Sequence, residues 1–198
     1  MVPAEFHAQT AVAAALELHP LVRERLDEIE RIVIETQEAA VRIIDKTGPL
    51  DNPADRDHCL QYMVAVPLIF GRLTAEDYED AVAADPRIDA LREKMVVEEN
   101  TQFSRDYLDP DKRAIGNAVQ VFFRDGTATD RIAVEYPIGH RRRRQEGMPL
   151  LVRKFEANVE GRLSAAQRER LTTVLSDLRS LESMRVHAFM DLLSTRPD

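Results

Sequence analysis

The sequence predicts an α+β fold, a small mixed sheet with packed helices, followed by a C-terminal helical tail. Residues 28–35 and 118–136 alternate β-branched or aromatic residues with polar ones, the period of half-buried strands. Capped apolar runs lie between these two segments. Beyond Pro149 the apolar period is helical throughout.

The elements follow in order. Residues 8–18 are alanine-rich and read as a helix that Pro20 stops. In the strand at 28–35, Ile32 and Ile34 alternate against Arg31, Val33 and Glu35. Residues 38–46 read as a helix with Ala40, Val41 and Ile44 on one side, ended by Thr47-Gly48-Pro49. Asn52 caps the next helix, with Pro53 in the first position and Asp55 three residues after the cap. That helix is expected to reach Phe70, close at Gly71 and kink or end early at Pro67. Short helices open at Thr74 and at Asp85-Pro86, the second reaching Lys94, and residues 95–98 read as a short strand. Residues 118–123 and 129–136 form a hairpin across Asp125-Gly126. Residues 139–147 read as a charged loop carrying Arg141 to Arg144. In the tail, Ser164 and Gln167 make a capping box. Leu171, Val174, Leu175 and Leu178 form one stripe, and Val186, Phe189, Met190 and Leu193 another. The change of texture divides the chain into residues 1–150 and a tail at 151–198.

Composition narrows the function. The chain has 198 residues and a formal net charge of −8, so its body repels phosphate and nucleic acid is a poor partner. With one cysteine, Cys59, it cannot form an internal disulfide, a Cys-rich zinc site or an iron–sulfur cluster of its own. Cys59 itself reads as a small buried hydrophobe, and a reducing cytoplasm fits this usage. The first residues lack a basic region followed by an apolar run, and residues 62–70 are too short to span a bilayer. No HExxH, P-loop, GxGxxG or GxSxG is present.

The densest polar cluster is Asp55-Arg56-Asp57-His58-Cys59-Leu60-Gln61-Tyr62. On a continuous helix His58 and Tyr62 share one face, a pairing able to orient a hydroxyl or move a proton; packing alone explains the same spacing. His140 follows a strand in Tyr136-Pro137-Ile138-Gly139-His140, where sites tend to be built, whereas His19 and His187 sit in helical contexts and read as structural. His7 precedes the first helix and by composition is a capping or surface residue. The arginine run is a solvated loop, a nucleic-acid contact or a carboxylate clamp, and spacing does not separate these.

Five stretches in order resemble the 2-methylcitrate dehydratase branch of the MmgE/PrpD family. They are residues 3–10 (PAEFHAQT), 52–58 with Gln61-Tyr62 (NPADRDH…QY), 109–117 (DPDKRAIGN), 136–140 (YPIGH), and 142–150 with Lys154-Phe155. The resemblance implies the second domain of a longer two-domain enzyme whose large helical domain comes first. The family usually has a lysine just upstream of the position of Pro3; Met1 and Val2 stand at that end here. It implies loss of water from 2-methylcitrate to 2-methyl-cis-aconitate in propionate breakdown, without metal or cofactor. By this resemblance His7, His58 and Tyr62 are the expected catalytic residues and Arg56, His140 and Arg142 the expected substrate-binding residues. The partners implied are a small tricarboxylate, a helical domain or further copies of the chain, with neither nucleic acid nor membrane. This chain is expected to be one wall of an interdomain cleft, inactive alone. The competing readings are a non-catalytic module that self-associates through its apolar tail, and a decarboxylase or isomerase acting on a related tricarboxylate.

Overall fold

A computed structural model describes residues 2–194. Two compact units divide between Arg142 and Arg143.

The first unit, residues 2–142, is built on a four-stranded mixed sheet of order β2-β1-β3-β4. Its strands are β1 (Ile29–Thr36), β2 (Met95–Glu99), β3 (Asn117–Phe123) and β4 (Ile132–Val134). β1 and β2 run parallel; β1–β3 and β3–β4 are antiparallel. The register explains the alternation in the sequence. Ile32 faces Val121, Ile34 faces Val119 and Ile29 faces Phe123, so these apolar pairs line the covered side of the sheet. On the other side Arg31 opposes Phe122, with its guanidinium 4.6 Å from the ring centroid. Gly126 turns the chain after Asp125 at φ +83°, a conformation glycine adopts without strain.

Helix α1 (Gln9–Val22) packs on β3 and β4. Pro20 lies inside α1 rather than ending it. It removes a single backbone donor close to the C-terminus, and packing holds the last turn. Helix α2 (Glu38–Ile44) follows β1 and lies along β2. Next come α3 (Pro53–Asp57) and α4 (Leu60–Phe70).

The single helix expected over 52–70 is two, and the break falls at His58-Cys59 rather than at Pro67. Every residue of α4 except Phe70 is buried, while α3 is charged and, apart from Arg56, exposed or partly exposed. One straight axis cannot satisfy both environments, so Cys59 becomes extended and the chain turns inward. Pro67 lies within the last turn, and α4 closes four residues later at Gly71, φ +66°, whose N–H donates to the Pro67 carbonyl. His58 and Tyr62 therefore do not share a helical face. Cys59 is fully buried, donates its S–H to the Lys46 carbonyl, and burial pushes its thiol pKa up.

Two short helices, α5 (Asp80–Ala83) and α6 (Pro86–Arg92), lead into β2. Helix α7 (Thr101–Leu108) has no counterpart in the sequence reading. The Asn100 side chain caps it, accepting from the N–H groups of Gln102 and Phe103, and donates to Glu35 at 2.6 Å. Glu35 is gripped in turn by the Arg131 guanidinium.

The second unit begins at Arg143 and is helical. It comprises α8 (Arg144–Val159), α9 (Ala165–Ser176), α10 (Leu178–Ser183) and α11 (Val186–Leu193). Residues 144–147, expected in a loop, open α8; Arg141–Arg143 form a 3-10 turn ahead of it. The capping box at Ser164 and Gln167 is present. Of the two apolar stripes, Leu171 is fully buried, whereas Leu178, Val186 and Met190 are exposed. Among the described residues no helix is long and apolar enough to cross a membrane.

A Cβ added at Gly116 would stand 2.7 Å from the Phe103 ring that seats α7. Gly116→Ala is expected to cost about 1–3 kcal/mol of stability through overpacking, measured by urea denaturation.

Candidate active site

The N-terminal residues form a short 3-10 turn, Phe6–Ala8, that runs directly into α1. Its Glu5 carboxylate folds back on His7. One oxygen accepts the His7 backbone N–H at 2.7 Å and the other lies 2.8 Å from the ring Nδ1. His7 is only 8% exposed. Its other ring nitrogen, Nε2, lies 3.2 Å from the hydroxyl of Tyr107 on α7, and the two rings are tilted at 47°. Burial pushes the Glu5 carboxyl up, but the hydrogen bonds from the His7 ring and backbone and the nearby His58 bring it below the usual glutamate value. An ionised Glu5 only accepts, which puts a proton on Nδ1 and leaves Nε2 facing the phenol.

The backbone beneath His7 is fixed as well. Asn117 Nδ2 donates to the His7 carbonyl at 2.8 Å and to Thr10 Oγ1 at 2.6 Å. Thr10 donates onward to the Ile115 carbonyl.

His58 stands at the junction of α3 and α4, with 56% of its side chain exposed. Its Nδ1 lies 2.5 Å from Asp57, which raises its pKa; burial opposes this, and Glu5 adds a further favourable charge. Glu5 thus lies within electrostatic reach of both His7 and His58.

His140 and Arg142 form a second set. The His140 ring stacks on Tyr136 at 4.6 Å between centroids, and its Nδ1 accepts the Arg142 backbone N–H at 3.2 Å. Burial, then the charges of Arg141 and Arg142, push its pKa down, so His140 offers a neutral Nε2–H donor rather than a cation. Arg142 supplies the charge. Its guanidinium lies 5.2 Å from the Tyr136 ring centroid and donates to the Asp111 carbonyl at 2.8 Å. The segment that carries Tyr107 also carries Asp111. Four residues of chain span at most about 14 Å, so the histidine set and the arginine set attach to one short stretch of backbone.

Arg56 and Tyr62 are engaged elsewhere. Arg56, 6% exposed, donates to the Tyr78 carbonyl at 2.7 Å and pairs with Asp80 at 2.8 Å. Tyr62, 1% exposed, donates to the Asp77 carbonyl at 2.5 Å, and burial pushes its pKa up to about 12. Together they clamp residues 77–80 to α3 and α4. Both line a cavity of about 270 Å³ with Leu50, Asp80 and Asp89.

Glu5 and Tyr107 were absent from the sequence-derived set. Glu5 had a readable signal, a carboxylate two positions before a histidine. Tyr107 had only the Asn100 cap and the Phe103/Tyr107 spacing of a short amphipathic helix.

The first unit is an α+β domain in which a buried imidazole links a carboxylate to a phenol, an arrangement able to move a proton. The model of the MmgE/PrpD C-terminal domain matches residues 2–179, and the chain belongs to that family. In particular, it is 55% identical over 193 residues to the 2-methylcitrate dehydratases of Salmonella typhimurium LT2 and Escherichia coli K12. It is 53% identical over 193 residues to the mitochondrial 2-methylcitrate dehydratase of Yarrowia lipolytica. These alignments cover 96% of this chain and 37–40% of the relatives, so the chain spans about two-fifths of their length.

Asp57→Asn is expected to bring the His58 pKa down toward the ordinary imidazole value, read from its ring-proton shifts across a pH titration. Because the folded-state pKa is raised, the stability contributed by the Asp57–His58 pair is present at acidic pH and fades as pH rises through the folded value. The variant's stability profile should be flatter over that window.

Proposed function

We propose that this chain forms one wall of a site that eliminates water from 2-methylcitrate to give 2-methyl-cis-aconitate, the step of propionate catabolism performed in the cytoplasm. The observation that carries this reading is the set of proton-handling groups around Glu5, joined by one short stretch of backbone to an arginine. The elimination needs a base for a carbon-bound proton beside a carboxylate and an acid for the departing hydroxyl. His7, its Nδ1–H fixed by Glu5, is the base that ends with the proton; the imidazolium formed is paired at once with the Glu5 carboxylate. His58, biased toward its protonated form by Asp57 and Glu5, is the acid that turns the leaving hydroxide into water. Arg142 binds a substrate carboxylate, and His140 donates a neutral hydrogen bond beside it. Arg56 and Tyr62 support the wall from beneath.

Citrate and 2-methylcitrate titrated into the chain should give saturable binding by calorimetry. Arg142→Ala should weaken it about tenfold and His58→Ala measurably, in line with the loss of a charge-assisted hydrogen bond. No saturable binding at millimolar ligand would sink the proposal. The chain alone should form no conjugated alkene from 2-methylcitrate in an ultraviolet assay.

The exposed apolar residues Leu178, Val186 and Met190 favour a second property, self-association through the helical unit. Light scattering should show an apparent mass that rises with concentration, and a constant monomer mass would exclude it.

A further inference from the structure

We propose that the group touching the substrate's carbon-bound proton is the hydroxyl of Tyr107, with His7 acting behind it as the proton acceptor. The inference rests on the dehydratase reading and deepens it.

The geometry leaves His7 no free nitrogen. Nδ1 is taken by Glu5 at 2.8 Å and Nε2 by the Tyr107 hydroxyl at 3.2 Å, and the ring is buried. A substrate could reach Nε2 only by displacing the phenol. Tyr107 itself is half-buried, and its neighbour Leu108 is 76% exposed, so this end of α7 lies at the surface. The phenol is therefore a partly exposed end of a line running Glu5, His7, Tyr107.

α7 is held firmly enough for such a role. Asn100 caps its first turn, Phe103 sits against Gly116, and Asp106 pairs with Lys112 at 2.8 Å. The Ser104 hydroxyl also accepts the Glu38 N–H at 2.9 Å, tying α7 to α2. These contacts fix the helix along most of its length, so the phenol is placed by the fold and not by a mobile loop.

The step balances. The Tyr107 O–H proton passes to His7 Nε2 while the phenol oxygen takes the proton from the substrate carbon. The electron pair of that C–H bond becomes the second bond of the alkene, and the adjacent C–O bond breaks. The hydroxide leaves as water with a proton from His58. His7 ends as an imidazolium between Glu5 and a neutral tyrosine, and returns its proton to solvent through the same phenol.

The test uses the chain with ¹⁵N-labelled histidine, in wild type, Tyr107→Phe and Glu5→Gln. Without ligand, wild-type His7 should show the Nδ1-protonated form. Tyr107→Phe should shift the Nε2 resonance with the tautomer unchanged, and Glu5→Gln should mix the tautomers. A His7 spectrum indifferent to Tyr107→Phe would overturn the relay, and this result is independent of any dehydratase activity. With citrate, the Tyr107 ring should shift saturably, the His7 ring response should disappear in Tyr107→Phe, and affinity should fall about fivefold. A His7 response that persists in Tyr107→Phe would mean direct contact and overturn the assignment. A relay intact without ligand but no citrate effect on Tyr107, His140 or Arg142 would remove the substrate-facing role together with the tricarboxylate reading.

Discussion

A buried amide organises the first unit. Asn117, at the start of β3, holds the carbonyl of His7 and the hydroxyl of Thr10, and Thr10 passes a hydrogen bond to Ile115. These groups lie where water does not reach, so each lost partner leaves an unsatisfied polar atom in a low-dielectric interior. The network fastens the first turn of α1 to the sheet. Through it the imidazole of His7 keeps a fixed place relative to β3 and to the loop that follows α7. The proposed proton movement depends on that seat, because a shift of about an ångström would open both contacts of the ring.

Electrostatics then separate the three histidines of the site by surroundings. His58 sits beside two carboxylates and is biased toward its charged form. His140 is partly desolvated beside two arginines and is biased toward its neutral form. His7 is sandwiched between a carboxylate and a phenol. On the proposed reading, one side-chain type serves as an acid, a neutral donor and a relay, roles separated by environment.

The sheet was largely legible in the sequence because its alternation is local: Ile32 and Ile34 announce an inward face, and Asp125-Gly126 announces the turn. The caps at Asn52, Asp85 and Ser164 were legible for the same reason. The break at His58-Cys59 was not, because the local pattern favours a continuous helix and the decision comes from tertiary burial of α4. That break dissolved the expected His58–Tyr62 pair and sent Arg56 and Tyr62 into the clamp on residues 77–80. Of the candidate site, His58, His140 and the arginine run stood out from local pattern and His7 from motif resemblance, whereas Tyr107 meets His7 across a sequence separation of 100 residues that no spacing rule reaches.

One feature of the sheet bears on how the chain behaves among its own copies. β2 is a border strand with only β1 beside it, and such a border invites a foreign strand to add on. Here it is five residues long and ends in Glu98 and Glu99. A second β2 laid alongside in parallel register would bring like charges together, which disfavours that mode of templated stacking while leaving the folded unit undisturbed.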